Sequence, residues 1–327
     1  MTTSHHANRA GPHRRRPTVL AAAILVTALA SLPVAPTAVG AAPTADTGAT
    51  VIGESWIDGR TLDLTIESPS TEWPIGHVRL LLPTGWSRDA ARRWPTLYLL
   101  HGGTDDYRSW YSKTDVEQLA ANRQAIVVLP DTSWCSAYSD WWNHGNGGRP
   151  RWETYVTTEV PQILERGYRA NTTRAVAGNS MGGLGAMKLA ATHNTMFRAA
   201  ASFSGDVDPL HQYPGGTGVS RPGLGCFADW KRVWGDPAIP AQRAIWERND
   251  PWNQATRLRG LWLYLSSGGN GDIPEAQVDK ETRGLADRLR SLDIPVTTHF
   301  YQGTHSWGYW QTELHTAWPR LMTEIGA

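Results

Sequence analysis

Continuous apolar runs alternate with amphipathic stretches along most of this chain, and that alternation predicts a sheet covered by helices on both faces. Thr96–Leu100, Ala125–Leu129 and Leu261–Leu265 lack the in-out alternation of a half-exposed strand; strands buried on both sides read this way. Arg174–Ala177, Phe197–Phe203 and Val296–Tyr301 complete the predicted parallel set. Two earlier runs, Leu62–Glu67 and Val78–Leu82, flank the loop Ser68–Ile75 and predict a hairpin at one sheet edge. Helices are predicted around Asp115–Asn122, over Trp152–Arg166 with a kink at Pro161, from Met181 to about His193, over Pro274–Leu292 and over Ser306–Ile325. Strands alternating with helices define an α/β class with a mostly parallel central sheet. Between Gly205 and Leu258 no strand is evident, and Pro209, Pro214, Pro222, Gly235 and Pro240 interrupt any long helix. That stretch is too long for an ordinary connection. It predicts a partly helical, cap-like insertion over residues 206–258.

The N-terminus follows a different pattern. Arg9 and Arg14-Arg15-Arg16 precede an apolar stretch from Val19 to about Leu32, and Val39-Gly40-Ala41 supplies small residues for cleavage. This is the layout of a secretory leader. The apolar stretch is shorter than the ~20 residues a membrane span needs. The expected organisation is a signal peptide over 1–41, a short linker over 42–50 and one catalytic domain over 51–327, secreted and without stable membrane insertion. The Arg-Arg pair leaves both export routes open. Removal of the leader takes four arginines and no acid, leaving 27 basic against 30 acidic residues. No basic run remains, so nothing points to a nucleic-acid partner. The two cysteines, Cys135 and Cys226, either form one disulfide or remain separate thiols.

Ser180 lies in Gly178-Asn179-Ser180-Met181-Gly182, between a predicted strand and a predicted helix. A G-x-S-x-G in that context is a nucleophile elbow, a turn so tight that the hydroxyl is lifted clear of the sheet. His101-Gly102-Gly103 follows the strand Thr96–Leu100, Asp272 follows Leu261–Leu265, and His305 follows Val296–Tyr301. The order Ser, acid, His is that of α/β-hydrolases, and each group falls just past a strand's C-terminal end. A serine hydroxyl needs a base, here His305, and the base needs a carboxylate on its other nitrogen. Asp272 is the leading candidate, with Asp206, Asp208 and Glu275 as rivals. The backbone N–H groups of Gly103 and Met181 are placed to serve as the oxyanion hole. This chemistry calls for no metal and no cofactor.

Seventeen tryptophans are present. Most must pack the core and its loops. Trp134, Tyr138, Trp141, Trp142, Trp307 and Trp310 fall in loops or helix starts at the catalytic edge, where aromatic rings can hold sugars or acyl chains.

At these residues the chain resembles the secreted mycolyltransferases of mycolic-acid bacteria, the antigen 85 type, within the larger putative-esterase family of α/β-hydrolases. Tyr98-Leu99-Leu100-His101-Gly102, Asp105-Asp106-Tyr107, Tyr138-Ser139-Asp140-Trp141 and Trp152-Glu153-Thr154 carry the resemblance. So do Ser180-Met181, Trp246–Pro251 and Gly303–Trp310. It implies an α/β-hydrolase fold, Ser180 as nucleophile, His305 as base, an acid at Asp272 where the mycolyltransferases have a glutamate, and an acyl-enzyme that passes its acyl group to water or a sugar hydroxyl. The departures bear on the acceptor. The mycolyltransferases have Asp-Gly-Leu-Arg where this chain has His101-Gly102-Gly103-Thr104. Their Asp and Arg contact trehalose; here those positions, His101 and Thr104, together with Trp141 and Trp307, are the expected substrate contacts. The expected activity is a serine esterase or acyltransferase acting on a small-molecule, lipid or sugar acyl ester, with hydrolysis favoured. A sugar acyltransferase is the alternative within the class. A catalytically silent wall- or matrix-binding protein is the alternative outside it.

Overall fold

Nine strands form one sheet in the order β1-β2-β3-β5-β4-β6-β7-β8-β9 in the computed structural model, which describes residues 42–210, 229–269 and 271–327. The strands are β1 Thr50–Trp56, β2 Thr61–Glu67, β3 Ile75–Leu81, β4 Trp94–Leu100, β5 Ile126–Pro130, β6 Ala170–Asn179, β7 Ala199–Phe203, β8 Trp262–Gly269 and β9 Thr297–Gln302. The first three make an antiparallel meander, and β3 joins β5 antiparallel. From β5 to β9 every pairing is parallel. The expected hairpin is therefore present. β1 was not anticipated: its sequence, Thr-Val-Ile-Gly-Glu-Ser-Trp, mixes signals and earns its place by pairing with β2.

The helices are α1 Ser109–Lys113, α2 Val116–Ala121, α3 Trp152–Thr154, α4 Val160–Gly167, α5 Met181–Thr192, α6 Lys231–Trp234, α7 Pro240–Asn249, α8 Ile273–Ser291 and α9 Trp307–Ile325. A π-turn over Tyr155–Glu159 runs from α3 into α4 and places Pro161 in the first turn of α4. A proline's missing N–H costs nothing there, so the expected kink becomes a π-turn. Inside it Glu159 is fully buried and accepts hydrogen bonds from Ser68 Oγ, Ser70 Oγ and Thr47 Oγ1.

Alternation along the strands divides the core in two. Tyr98 and Leu100 of β4 face one layer, with Leu184 and Met187 of α5 and Leu285 and Leu289 of α8. Leu97 and Leu99 face the other, with Trp110 of α1 and Leu314, Trp318 and Leu321 of α9. The parallel strands are thus sealed on both faces, the physical reason for their unbroken apolar sequence.

One segment differs from expectation. Residues 42–50 are packed on the fold instead of forming a loose linker: Ala45 and Ala49 are buried, Thr44 bridges to Thr50, and Asp46 N–H donates to Gln162 Oε1 at 2.7 Å. Within the described part of 206–258, α6 and α7 supply the expected helical character. Trp234 and Trp246 stack edge-to-face at 4.9 Å, and Trp234 Nε1 donates to Ser139 Oγ. Residues 211–228 of that insertion, with Cys226, lie outside the described residues. Cys135 is disulfide-bonded.

Behind α5 lies a buried ionic knot. Lys188, 1% exposed, donates to the Tyr138 carbonyl at 2.8 Å and to Glu153 Oε2 at 2.5 Å, while Glu153 Oε1 meets His193 Nε2 at 2.8 Å. Burial pushes the Glu153 carboxyl up, but the Lys188 charge and the His193 hydrogen bond outweigh it and bring the group to about 2. Lys188→Met should cost about 1–3 kcal/mol, because it leaves the half-buried Glu153 carboxylate with His193 alone; urea unfolding measures it. A second buried pair, Asp206 and Glu281, behaves oppositely. Burial first, and the neighbouring Asp206 second, hold the Glu281 carboxyl well above its ordinary range. A raised carboxyl contributes stability at low pH that is lost as pH rises through its folded value. The difference in Tm between wild type and Glu281→Gln should therefore move against wild type from about pH 5 to about pH 8. A constant difference would show that this carboxyl titrates normally.

Candidate active site

The strand order reverses between β4 and β6. The chain leaves β4 for β5 on one side and leaves β6 for β7 on the other. The crevice at the C-terminal ends of two such strands is where open α/β sheets bind ligands. His101-Gly102-Gly103 leaves β4 there, and Ser180 leaves β6.

Ser180 has φ 54° and ψ −121°, a conformation few non-glycine residues adopt. Its neighbours make the turn sterically feasible. A Cβ on Gly178 would lie 2.4 Å from the Gly182 carbonyl oxygen, and one on Gly182 would lie 2.2 Å from the Leu100 carbonyl oxygen. Only glycine fits either place. The turn is pinned by Ser180 N–H donating to the Phe203 carbonyl at 3.0 Å and by Gly183 and Leu184 N–H donating to the Ser180 carbonyl.

His305, on the loop after β9, brings Nε2 to 2.8 Å from Ser180 Oγ. Its Nδ1 lies 2.7 Å from Glu275 Oε2. The other carboxylate oxygen of Glu275 accepts from Ser204 Oγ at 2.8 Å and from Gly268 N–H at 2.5 Å. Glu275 is fully buried, yet both its oxygens are engaged. An ionised carboxylate can only accept, so Nδ1 carries the proton and the Nε2 lone pair faces the serine hydroxyl. The Trp310 ring stands edge-on to His305 at 4.9 Å and closes one side of the imidazole.

Asp272, the acid expected from sequence, does not reach the imidazole. It is the N-cap of α8, and its carboxylate accepts from Glu275 N–H at 3.0 Å and from the backbone N–H of His305 at 3.2 Å. Asp272-Ile273-Pro274-Glu275 follows the capping-box spacing, a polar acceptor with Glu three residues on and Pro in the first turn. Only the Asp272 half of that motif is made: Asp272 caps the helix, while the Glu275 side chain turns to His305, Ser204 and Gly268 instead of back to the N-cap. Asp206 and Asp208 lie after β7, and Asp208 N–H donates to Glu281; the carboxylate at His305 Nδ1 is that of Glu275.

Other expected contacts also move. His101 is 1% exposed, with Nδ1 at 2.8 Å from the Gly102 carbonyl oxygen and Nε2 at 3.1 Å from Thr132 N. Both nitrogens are taken by the protein, so this ring cannot bind substrate. Trp141 is 8% exposed, donates Nε1–H to the Ser136 carbonyl, and carries Arg232 over its face. It is a scaffold residue. Tyr138 and Trp310 are buried as well. Trp307 is half-buried between Trp110 and Trp310, with Lys113 Nζ 5.1 Å above its ring. Thr104 remains exposed at φ 65°, and Trp134 is 50% exposed. Gly102, the neighbour of Gly103, adjoins Ser180: a Cβ built on it would lie 3.4 Å from Ser180 Cβ. Met181 is the first residue of α5, where a helix leaves its N–H groups without intrahelical partners.

Comparison with known proteins establishes the family and the fold. Over 262 residues, 71% of this chain and 76% of the relative, the sequence is 32% identical to the diacylglycerol acyltransferase/mycolyltransferase Ag85B of Mycobacterium intracellulare. It is also 32% identical to the Ag85B of Mycolicibacterium smegmatis, over 70% of this chain and 77% of that one. Among solved structures, Mycobacterium tuberculosis MPT51 superposes with a TM-score of 0.65 at 24% identity, over 79% of this chain and 96% of its own. An S-formylglutathione hydrolase from Agrobacterium tumefaciens superposes with a TM-score of 0.67 at 19% identity, over 84% and 99%. These structures share the α/β-hydrolase fold. The "Putative esterase" family matches residues 68–321. The chain belongs to that esterase family and is an ester-hydrolase/acyl-transfer enzyme, similar to the Ag85 mycolyltransferases.

Proposed function

We propose that Ser180, His305 and Glu275 act as a catalytic triad in an exported serine esterase that hydrolyses acyl esters and transfers poorly to trehalose. The observation that carries this reading is the unbroken path from Ser180 Oγ through the imidazole to Glu275, at 2.8 and 2.7 Å. As Ser180 Oγ attacks the ester carbonyl, its proton passes to His305 Nε2. The tetrahedral oxyanion is received by the N–H groups of Gly103 and Met181. Collapse expels the alcohol, which takes the proton from Nε2, and leaves an acyl-serine. Water then repeats the cycle, losing its proton to His305 and releasing the acid. Glu275 stays ionised and stabilises the imidazolium.

Two features favour water over a trehalose acceptor. Where the Ag85-type enzymes offer a carboxylate to the sugar, this chain has His101, whose ring nitrogens are occupied. Where they offer a guanidinium fork, it has Thr104. A site built to pair sugar hydroxyls loses orders of magnitude in discrimination when those partners go. Export is supported by the leader pattern of residues 1–41 and by the disulfide at Cys135, a bond characteristic of oxidising compartments. Amino-terminal sequencing of protein recovered from culture medium should begin near Ala42.

Ser180→Ala should lower esterase activity by at least ~10⁴-fold, because a triad acts as a unit. It should also abolish labelling by a fluorophosphonate while Tm is retained. Substantial turnover in a clean preparation would remove Ser180 from the mechanism.

Glu275→Gln should lower kcat by roughly 10²–10⁴ with KM little changed, since the acid orients the base without touching substrate. Asp272→Asn keeps a capping oxygen and should cost less than about tenfold in kcat. The reverse ranking of the two variants would return the acid role to Asp272.

Product analysis with short and long acyl esters should give free acid as the main product, in a yield insensitive to added trehalose. A trehalose ester that competes with hydrolysis would establish the sugar acyltransferase instead.

A further inference from the structure

We infer that His101 is a positioning residue for the oxyanion hole: its ring fixes the Gly102–Gly103 peptide so that the Gly103 N–H faces the developing oxyanion. The inference rests on Ser180 being the nucleophile and goes beyond the triad.

Hydrogen-bond chemistry sets the tautomer. The backbone N–H of Thr132 can only donate, and it points at His101 Nε2 at 3.1 Å. Nε2 is therefore an acceptor. A neutral imidazole has one N–H, which must then sit on Nδ1. Nδ1 lies 2.8 Å from the Gly102 carbonyl oxygen, so it donates there. The acceptor side is held in turn: Ser136 Oγ donates to Thr132 Oγ1 at 2.9 Å, and Tyr138 Oη donates to the His101 carbonyl at 2.9 Å. Each partner is buried.

Peptide planarity carries the effect to the site. Arg149–Pro150 is the only cis bond among the described residues, so the Gly102–Gly103 peptide is trans. In a trans peptide the C=O and the following N–H point in opposite directions. With the Gly102 carbonyl held toward the buried ring, the Gly103 N–H is turned away from it. The same peptide adjoins the nucleophile, because a Cβ built on Gly102 would lie 3.4 Å from Ser180 Cβ. Two successive glycines have the widest backbone freedom of any pair. Without the ring this peptide could rotate and the donor would be lost. The imidazole holds a dipole in place before the charge forms, which is how an oxyanion hole lowers a barrier. His101 exchanges no proton in the reaction.

The test separates positioning from simple core filling. His101→Leu fills the space without a donor and should lower kcat by about 10²-fold, the loss typical of one oxyanion donor, with KM within about twofold. Affinity for a boronic acid that mimics the tetrahedral intermediate should fall by the same factor as kcat. His101→Asn, whose Nδ2 can donate from the place of Nδ1, should recover at least about tenfold of that loss. If His101→Leu does not fold, the isosteric pair His101→Asn and His101→Asp decides, because an ionised aspartate cannot donate to the Gly102 carbonyl. A folded donor-less variant with wild-type kcat, equal kcat in Asn and Asp, or a loss carried by KM would overturn the inference. Fluorophosphonate labelling of wild type is the control. If Ser180 fails to label, the nucleophile assignment is wrong; if it labels while the His101 variants are indifferent, only the positioning role falls.

Discussion

The active site depends on one close approach, that of the α5 amino terminus to the end of β4. Gly182 lies so near the Leu100 carbonyl that any side chain there would collide with it, and Gly178 is closed in by Gly182. This contact accompanies the left-handed turn at Ser180 and brings the loop after β4 beside that residue. The small residues of β6 and β7, Ala175, Ala177 and Ala199–Ala201, let the covering helices settle tightly against the sheet. Strain in the turn, of the order of 1–3 kcal/mol for such a residue, is borne by the surrounding close-packed core. Ser180, the proposed nucleophile, is thus placed by the sheet and one helix, and the loops around it are fitted to that turn.

His305 and Glu275, the proposed base and acid, are joined by a second device. Asp272 caps α8 and also receives the His305 backbone N–H. One carboxylate therefore ties the loop carrying His305 to the helix carrying Glu275. Ser204 and Gly268, at the ends of β7 and β8, hold the far side of Glu275. Three strand ends and one helix cap thereby converge on a single imidazole.

The sequence made the parallel strands, the elbow and the histidine legible, because each depends on a local rule: unbroken apolar runs, paired glycines about a serine, a histidine after the last strand. Three things escaped it. Asp272 and Glu275 are three residues apart and compete for one role; residue type does not separate them, because the difference is made by the start of α8, where Asp272 caps the helix and Glu275 reaches the imidazole. The segment 42–50 looks like a linker by composition, yet it is held by Glu159 and Gln162, more than a hundred residues away. His101 was expected at the acceptor site because it stands where the mycolyltransferases have their Asp, and Trp141 because it falls among the aromatic residues at the catalytic edge. Their side chains turn inward, a matter of tertiary packing that residue type does not reveal. Most of the aromatic residues singled out at the catalytic edge likewise serve as scaffold, leaving Trp134 as the clearly exposed one.

The central claim is that one crevice joins a serine activated through His305 by Glu275 to an anion hole made by Gly103 and Met181. A crystal structure of the enzyme with a boronic acid tests it most directly. The account predicts boron bonded to Ser180 Oγ, one boron oxygen about 2.7–3.1 Å from both backbone nitrogens, and His305 Nδ1 still on Glu275. An adduct whose oxygen lies away from those amides, or an imidazole that turns to Asp272, would contradict it.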